Sequence, residues 1–163
     1  MESLNDFIQE YRIQLKKKYI QKAYLGIMTF MSGLSSFLAG RHTDFLVSGL
    51  YFGYMDMTYF AFTPADLKNL KLKIAIVYLH EEGRFEVWLG GSNRKIQAEY
   101  IERFKMKDIG MYKLSTVHPG GDSIIESILN EHPDFDHQDE LMKQIEEKTL
   151  IFVKDMTRLI EAS

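Results

Sequence analysis

The spacing of apolar positions changes period along the chain, and those changes divide it into elements. From Ser3 to Lys17, Leu4, Phe7, Ile8, Tyr11 and Leu15 recur every three or four residues, the spacing of one helix face. Ser3 stands as N-cap with Asp6 three residues on. From about Ile20 to Leu38 the same period continues through Ala23, Tyr24, Ile27, Met28, Met31 and Leu34. Gly40 suits the end of that helix. Residues 47–62, VSGLYFGYMDMTYFAF, then turn aromatic and β-branched, and the pattern predicts one long strand ended by Pro64. Residues 65–69 read as a turn or a single helical turn.

Leu72 to Leu79 and Phe85 to Leu89 read as two further strands. They are joined by a turn in which Gly83 supplies positive φ. Pairing His80 with Phe85 places Leu72, Ile74, Ile76 and Tyr78 on one face with Phe85, Val87 and Leu89. That wholly apolar face belongs to the core. The opposite face carries Lys73, Ala75, Val77 and Leu79 beside Glu86 and Trp88. It is mixed, and helices are expected to cover it in part, leaving a cleft. In the long first strand, Tyr51, Met55, Met57 and Tyr59 point one way. Phe52, Tyr54, Asp56, Thr58, Phe60 and Phe62 point the other.

Gly90-Gly91-Ser92-Asn93 stops the third strand, and Ser92 or Asn93 caps a helix to about Phe104, with Ile96, Tyr100, Ile101 and Phe104 inward. Residues 111–118 read as a weaker fourth strand, and His118-Pro119-Gly120-Gly121 as a loop. Ser123-x-x-Glu126 has the form of a capping box opening a helix to about Asn130. Asp136 is placed as N-cap of a last helix, about Gln138 to Ile160, striped by Leu141, Ile145, Phe152, Met156 and Leu159. Short strand connections imply antiparallel neighbours. The prediction is an α+β fold: an N-terminal helical pair, a three- to four-stranded mainly antiparallel β-meander, and C-terminal helices packed on the sheet.

Composition narrows the picture. The 163 residues are 45% hydrophobic and 26% charged, with three prolines and no low-complexity run, which fits one domain spanning residues 1–163. A net charge of −3 argues against a nucleic-acid partner. Lys16-Lys17-Lys18, the compact basic run, reads as a solvated helix end. No cysteine is present, so disulfides, thiolate metal sites and a cysteine nucleophile are excluded. The acidic start and the interruption of residues 24–39 by Ser32, Gly33, Ser35 and Ser36 argue against a signal peptide or membrane span. A cytoplasmic location is the expectation.

Candidate chemistry gathers on the sheet. Asp56 is the lone charge within the sixteen aromatic-rich residues 47–62, and a carboxylate there requires hydrogen bonds or a cation. Glu86 could pair with Lys73 across strands, and Trp88 is the single tryptophan. Two acids on neighbouring strands resemble the metal-binding acids of restriction-nuclease-like enzymes. That pattern carries a lysine two residues after the second acid, where this chain has Trp88. Leu89 to Lys95 is a second candidate: glycines admit a ligand to the backbone, a helix N-terminus offers N–H groups, and Arg94 and Lys95 add charge. It matches neither the dinucleotide fingerprint nor the P-loop. The five histidines lack zincin spacing, and residues 132–140, rich in oxygen and imidazole, lack the EF-hand pattern. The tentative binding set is therefore Tyr54, Asp56, Glu86, Trp88, Gly91, Arg94 and Lys95. The residues name no metal site and no cofactor.

Tyr51–Phe60, Lys73–Val77, Arg84–Leu89, Asp122–Glu126 and Lys143–Glu146 together resemble a family of small bacterial and archaeal proteins defined as a domain of unknown function. The resemblance runs nearly full length and implies no activity. The functional expectation is a soluble domain that binds a small molecule or a protein partner. The alternatives are a metal-assisted hydrolase using Asp56 and Glu86, and an assembly role through helix 20–38.

Overall fold

The computed structural model describes residues 2–116 and 121–162. Its centre is a five-stranded antiparallel sheet in the order β1-β2-β3-β4-β5. The strands are Phe45–Val47 (β1), Met57–Pro64 (β2), Leu72–Leu79 (β3), Arg84–Gly91 (β4) and Ser123–Asn130 (β5). Five helices accompany it: Leu4–Lys16 (α1), Tyr19–Arg41 (α2), Ala65–Asn69 (α3), Arg94–Lys105 (α4) and Gln138–Glu161 (α5). The α+β meander is as expected, with more strands than the three or four anticipated.

The core lies on one face of the sheet. Ile74, Ile76 and Tyr78 of β3 and Phe85, Val87 and Leu89 of β4 are buried there, together with Phe60 and Phe62 of β2. Phe30, Met31, Leu34 and Leu38 of α2, Tyr100, Ile101 and Phe104 of α4, and Leu141, Ile145, Phe152 and Met156 of α5 join the same cluster. Each such side chain removed from water stabilises by ~1.5–3 kcal/mol. Phe85 is ringed by Phe30, Tyr78 and Phe135, with centroids 5.0–5.9 Å away. By length and composition α2 could cross a membrane, which the interrupted sequence did not suggest. Its C-terminal half instead carries four residues of this core.

The β3–β4 register pairs Tyr78 with Phe85 and Leu79 with Arg84, not His80 with Phe85. The difference is two residues. Side chains alternate with period two, so the assignment of residues to faces survives unchanged.

Three expected elements differ. Residues 47–62 do not form one strand: β1 ends at Val47 and β2 begins at Met57. Between them the chain curls through Gly53 (φ 78°) and Met55 (φ 66°). The Tyr54 N–H donates to Asp56 Oδ1 at 2.9 Å, and Thr58 Oγ1 donates to the Phe52 carbonyl at 2.7 Å. These local bonds replace the strand ladder that aromatic content predicts. Ser123–Asn130 is a strand, not a helix, because it pairs with β4 along its length. The expected strand at 111–118 reduces, within the described residues, to a single bridge between Leu114 and Ile125. His118, Pro119 and Gly120 of the predicted loop lie outside the described residues. The cap of α5 is His137 without a side-chain bond, rather than Asp136.

Candidate functional site

The second face of the sheet is open. Ala75 and Val77 are buried on it but stand apart from the main core cluster. They floor a cleft of about 420 Å³ whose walls include Met57, Tyr59, Trp88, Lys73 and Arg94. The expected partial cover by helices is absent among the described residues; the one helical residue on the cleft is Arg94, at the start of α4.

Strand alternation sets the walls. Met57 and Tyr59 of β2 face the cleft while Thr58 and Phe60 are buried in the opposite direction. On β4, Glu86, Trp88 and Gly90 share that side. A register shift at Leu89/Gly90 then does something a regular strand cannot. Trp88 pairs with Glu126, Leu89 with Ile125, and Gly90 with Ser123, so Ile124 is the extra residue. The bulge turns Ser123 and Glu126 to the same face. Ser123 Oγ donates to Glu126 Oε2 at 2.6 Å, and Ser115 Oγ lies 3.0 Å from Ser123 Oγ. The Ser-x-x-Glu spacing that resembled a capping box is thus satisfied within a bulged strand, inside the cleft.

The cleft has an apolar end and a charged end. Trp88 is half-buried, and its indole N–H donates to Glu86 Oε1 at 2.8 Å. Glu86 is itself buried, with Arg84 Nε 2.7 Å from its other oxygen. The guanidinium of Arg84 and the indole together satisfy that carboxylate, so Glu86 orients Trp88 rather than pairing with Lys73. Lys73 is instead ion-paired with Asp122 across the charged end. Arg94 is exposed on the cleft rim and makes no ion pair among the described residues.

The glycine junction is packed in its first half and exposed in its second. Gly91 is buried, and its N–H donates to the Asp122 carbonyl at 3.0 Å. A Cβ there would lie 2.7 Å from the Gln97 amide nitrogen, so glycine is needed for β4 to pass the first turn of α4. Asn93 Oδ1 accepts the Ile96 N–H at 2.9 Å and caps α4. That cap aims Arg94 at the cleft, whereas Lys95 does not line it.

The structure does not unite the tentative set. Trp88 and Arg94 face one cleft, with Glu86 behind Trp88. Tyr54 and Asp56 lie apart in the 48–56 loop, where Tyr54 is 89% exposed. The Asp56 carboxyl sits below its ordinary range because the Tyr54 and Met57 N–H groups donate to it. Neither Asp56 nor Glu86 lines the cleft, and among the described residues no group of three His, Asp or Glu side chains is placed to hold a metal. The tentative binding set left out Lys73, Tyr59, Ser123 and Glu126, all of which line the cleft. Lys73 and Tyr59 were visible in the alternation; Ser123 and Glu126 depend on the bulge.

A second, larger hollow of about 660 Å³ lies between residues 107–112 and the end of α5. It is shallow, and Tyr112 Oη already donates to Asp155 Oδ2 at 2.6 Å. Burial, with help from Asp155, pushes the Tyr112 hydroxyl well above its ordinary pKa.

Residues 4–160 match the family model described as Domain of unknown function (DUF7000), and the chain belongs to that family. Comparisons with curated proteins and with solved structures returned no match.

Proposed function

We propose that this DUF7000 protein is a binding domain for a small, planar, negatively charged molecule, held in the cleft on the open face of the sheet. The observation that carries the reading is the juxtaposition, in one cleft, of Trp88 and Tyr59 with Arg94, Lys73 there being paired with Asp122. An indole and a phenol offer flat apolar surfaces to a ring. A guanidinium without an ion-pair partner among the described residues offers a bidentate site for a carboxylate or phosphate. The cleft volume suits a metabolite-sized ligand, since such sites commonly run to roughly 300–1,000 Å³. Ser123 and Glu126 supply a hydroxyl and an acceptor for orientation. We place this activity in the cytoplasm, in keeping with the cysteine-free composition.

The test is a thermal-shift panel of nucleotides, aromatic carboxylates and their uncharged analogues, followed by calorimetry on any hit. A charged ring compound should raise the melting temperature by binding the native state. Trp88→Ala and Arg94→Ala should each weaken it at least tenfold, about 1.4 kcal/mol, with the fold retained. A hit whose affinity ignores both substitutions would sink the proposal, as would a panel with no hit.

A further inference from the structure

Helix α1 leaves its apolar stripe bare. None of its residues is buried. Leu4 is 70% exposed, Phe7 57%, Ile8 44% and Tyr11 57%. They lie on one side of the helix, because their spacing follows the helical repeat. At roughly 200 Å² for a large side chain, these exposures leave on the order of 450 Å² of apolar surface in water. A standard interface takes ~800 Å² from each partner. Tyr19 and Ile20, which follow α1 in sequence at the start of α2, are exposed too.

Charge is segregated along the same helix. Glu2, Asp6 and Glu10 all precede Tyr11; Arg12, Lys16, Lys17 and Lys18 all follow it. Such a surface is complementary to itself when reversed. We infer that α1 docks against α1 of a second copy of this chain, antiparallel, with Tyr11 near the two-fold axis. The acidic half of each helix then lies over the basic half of the other, while the stripes bury one another. This is the isologous arrangement of a closed dimer, one patch meeting its own copy. An anionic bilayer fits less well. Helices that lie on membranes carry bases along their polar face, whereas here acids fill the N-terminal half.

The test is sedimentation velocity and light scattering on the full chain. The wild type is expected to be a dimer with micromolar dissociation. Tyr11→Asp should be monomeric, with unchanged circular dichroism and melting, since α1 contributes no buried residue. Two charge variants extend it. Glu2→Lys/Glu10→Lys and Lys16→Glu/Lys17→Glu/Lys18→Glu should each self-associate at least tenfold more weakly. Mixed, they should form a one-to-one complex, because opposite halves again meet. A wild type that stays monomeric at every concentration overturns the inference. So does a dimer that survives Tyr11→Asp, or a monomer that co-sediments with phosphatidylserine vesicles.

Discussion

At the scale of single residues, buried Glu146 and half-buried His80 tie distant parts of the chain together. Glu146 of α5 is buried, with Arg41 Nε 2.7 Å and His42 Nε2 2.8 Å from one of its oxygens. Burial alone would raise its carboxyl pKa. The hydrogen bonds from Arg41 and His42 outweigh that, and the group titrates below its ordinary 4.5. Its contribution is therefore present above pH ~4.5 and lost as pH falls through its lower folded value. Glu146→Gln should cost about 1–3 kcal/mol in urea unfolding, because a buried charged acceptor shared by Arg41 and His42 becomes a neutral amide. His80 works in the opposite sense. Its Nε2 lies 2.7 Å from Thr58 Oγ1, whose own proton goes to the Phe52 carbonyl, so the pair anchors the 48–56 loop. Burial holds the imidazole below its ordinary 6.5, against a smaller upward pull from Asp56. Below pH ~6.5 the unfolded chain takes the proton more readily than the folded one, and stability falls until the folded value is passed. Urea midpoints measured from pH 7 to pH 5 should decline more steeply in the wild type than in His80→Gln. The exposed His137–Asp134 pair has the contrary sign, and comparing the two proteins cancels it.

At the scale of elements, the β4–α4 junction is the most exacting point. Gly91→Ala should lower the melting temperature and also weaken any ligand that depends on Arg94, since the strand must shift to clear Gln97 and Asn93. Gly90→Ala is the milder control: its added Cβ would meet the Asp122 carbonyl and the Lys73 side chain at 3.2 Å. A thermal melt of both variants checks the order. The same region shows why some elements were legible and others were not. Residues Leu72–Leu79 and Arg84–Gly91 alternate cleanly, so their faces could be read even with the register two residues out. Residues Ser123–Asn130 carry a local helix-start signal and apolar residues at 124, 125, 128 and 129, a spacing that fits one helix face. Pairing with β4 overrides it, and the bulge at Ile124 accounts for the broken alternation. Asp56 misled for a similar reason. Its neighbours have strand composition, but its carboxylate closes a turn two residues long. Trp88 and Arg94 were found because each is unusual where it stands; their convergence required three dimensions.

At the scale of the whole molecule, every helix and strand among the described residues except α1 places a side chain in the core cluster or against it. Deleting residues 1–17 should change the melting temperature by less than about 4 °C, roughly the effect of 1 kcal/mol in a domain of this size, while abolishing dimer formation. A scanning calorimetry trace of the truncated chain, still two-state, checks this. The sheet itself has every strand beside its neighbour in sequence. Such an order carries a temporal consequence. During synthesis each strand can dock on the one before it as it leaves the ribosome, without waiting for a distant partner. Helices α2, α4 and α5 share the cover of the apolar face, and α5 is made last, after all five strands. Until Leu141, Ile145, Phe152 and Met156 emerge, the part of the apolar face that they cover stands in water. For that interval, chaperone occupancy on the nascent chain should peak between completion of β5 and completion of α5, a profile that ribosome-associated crosslinking can resolve.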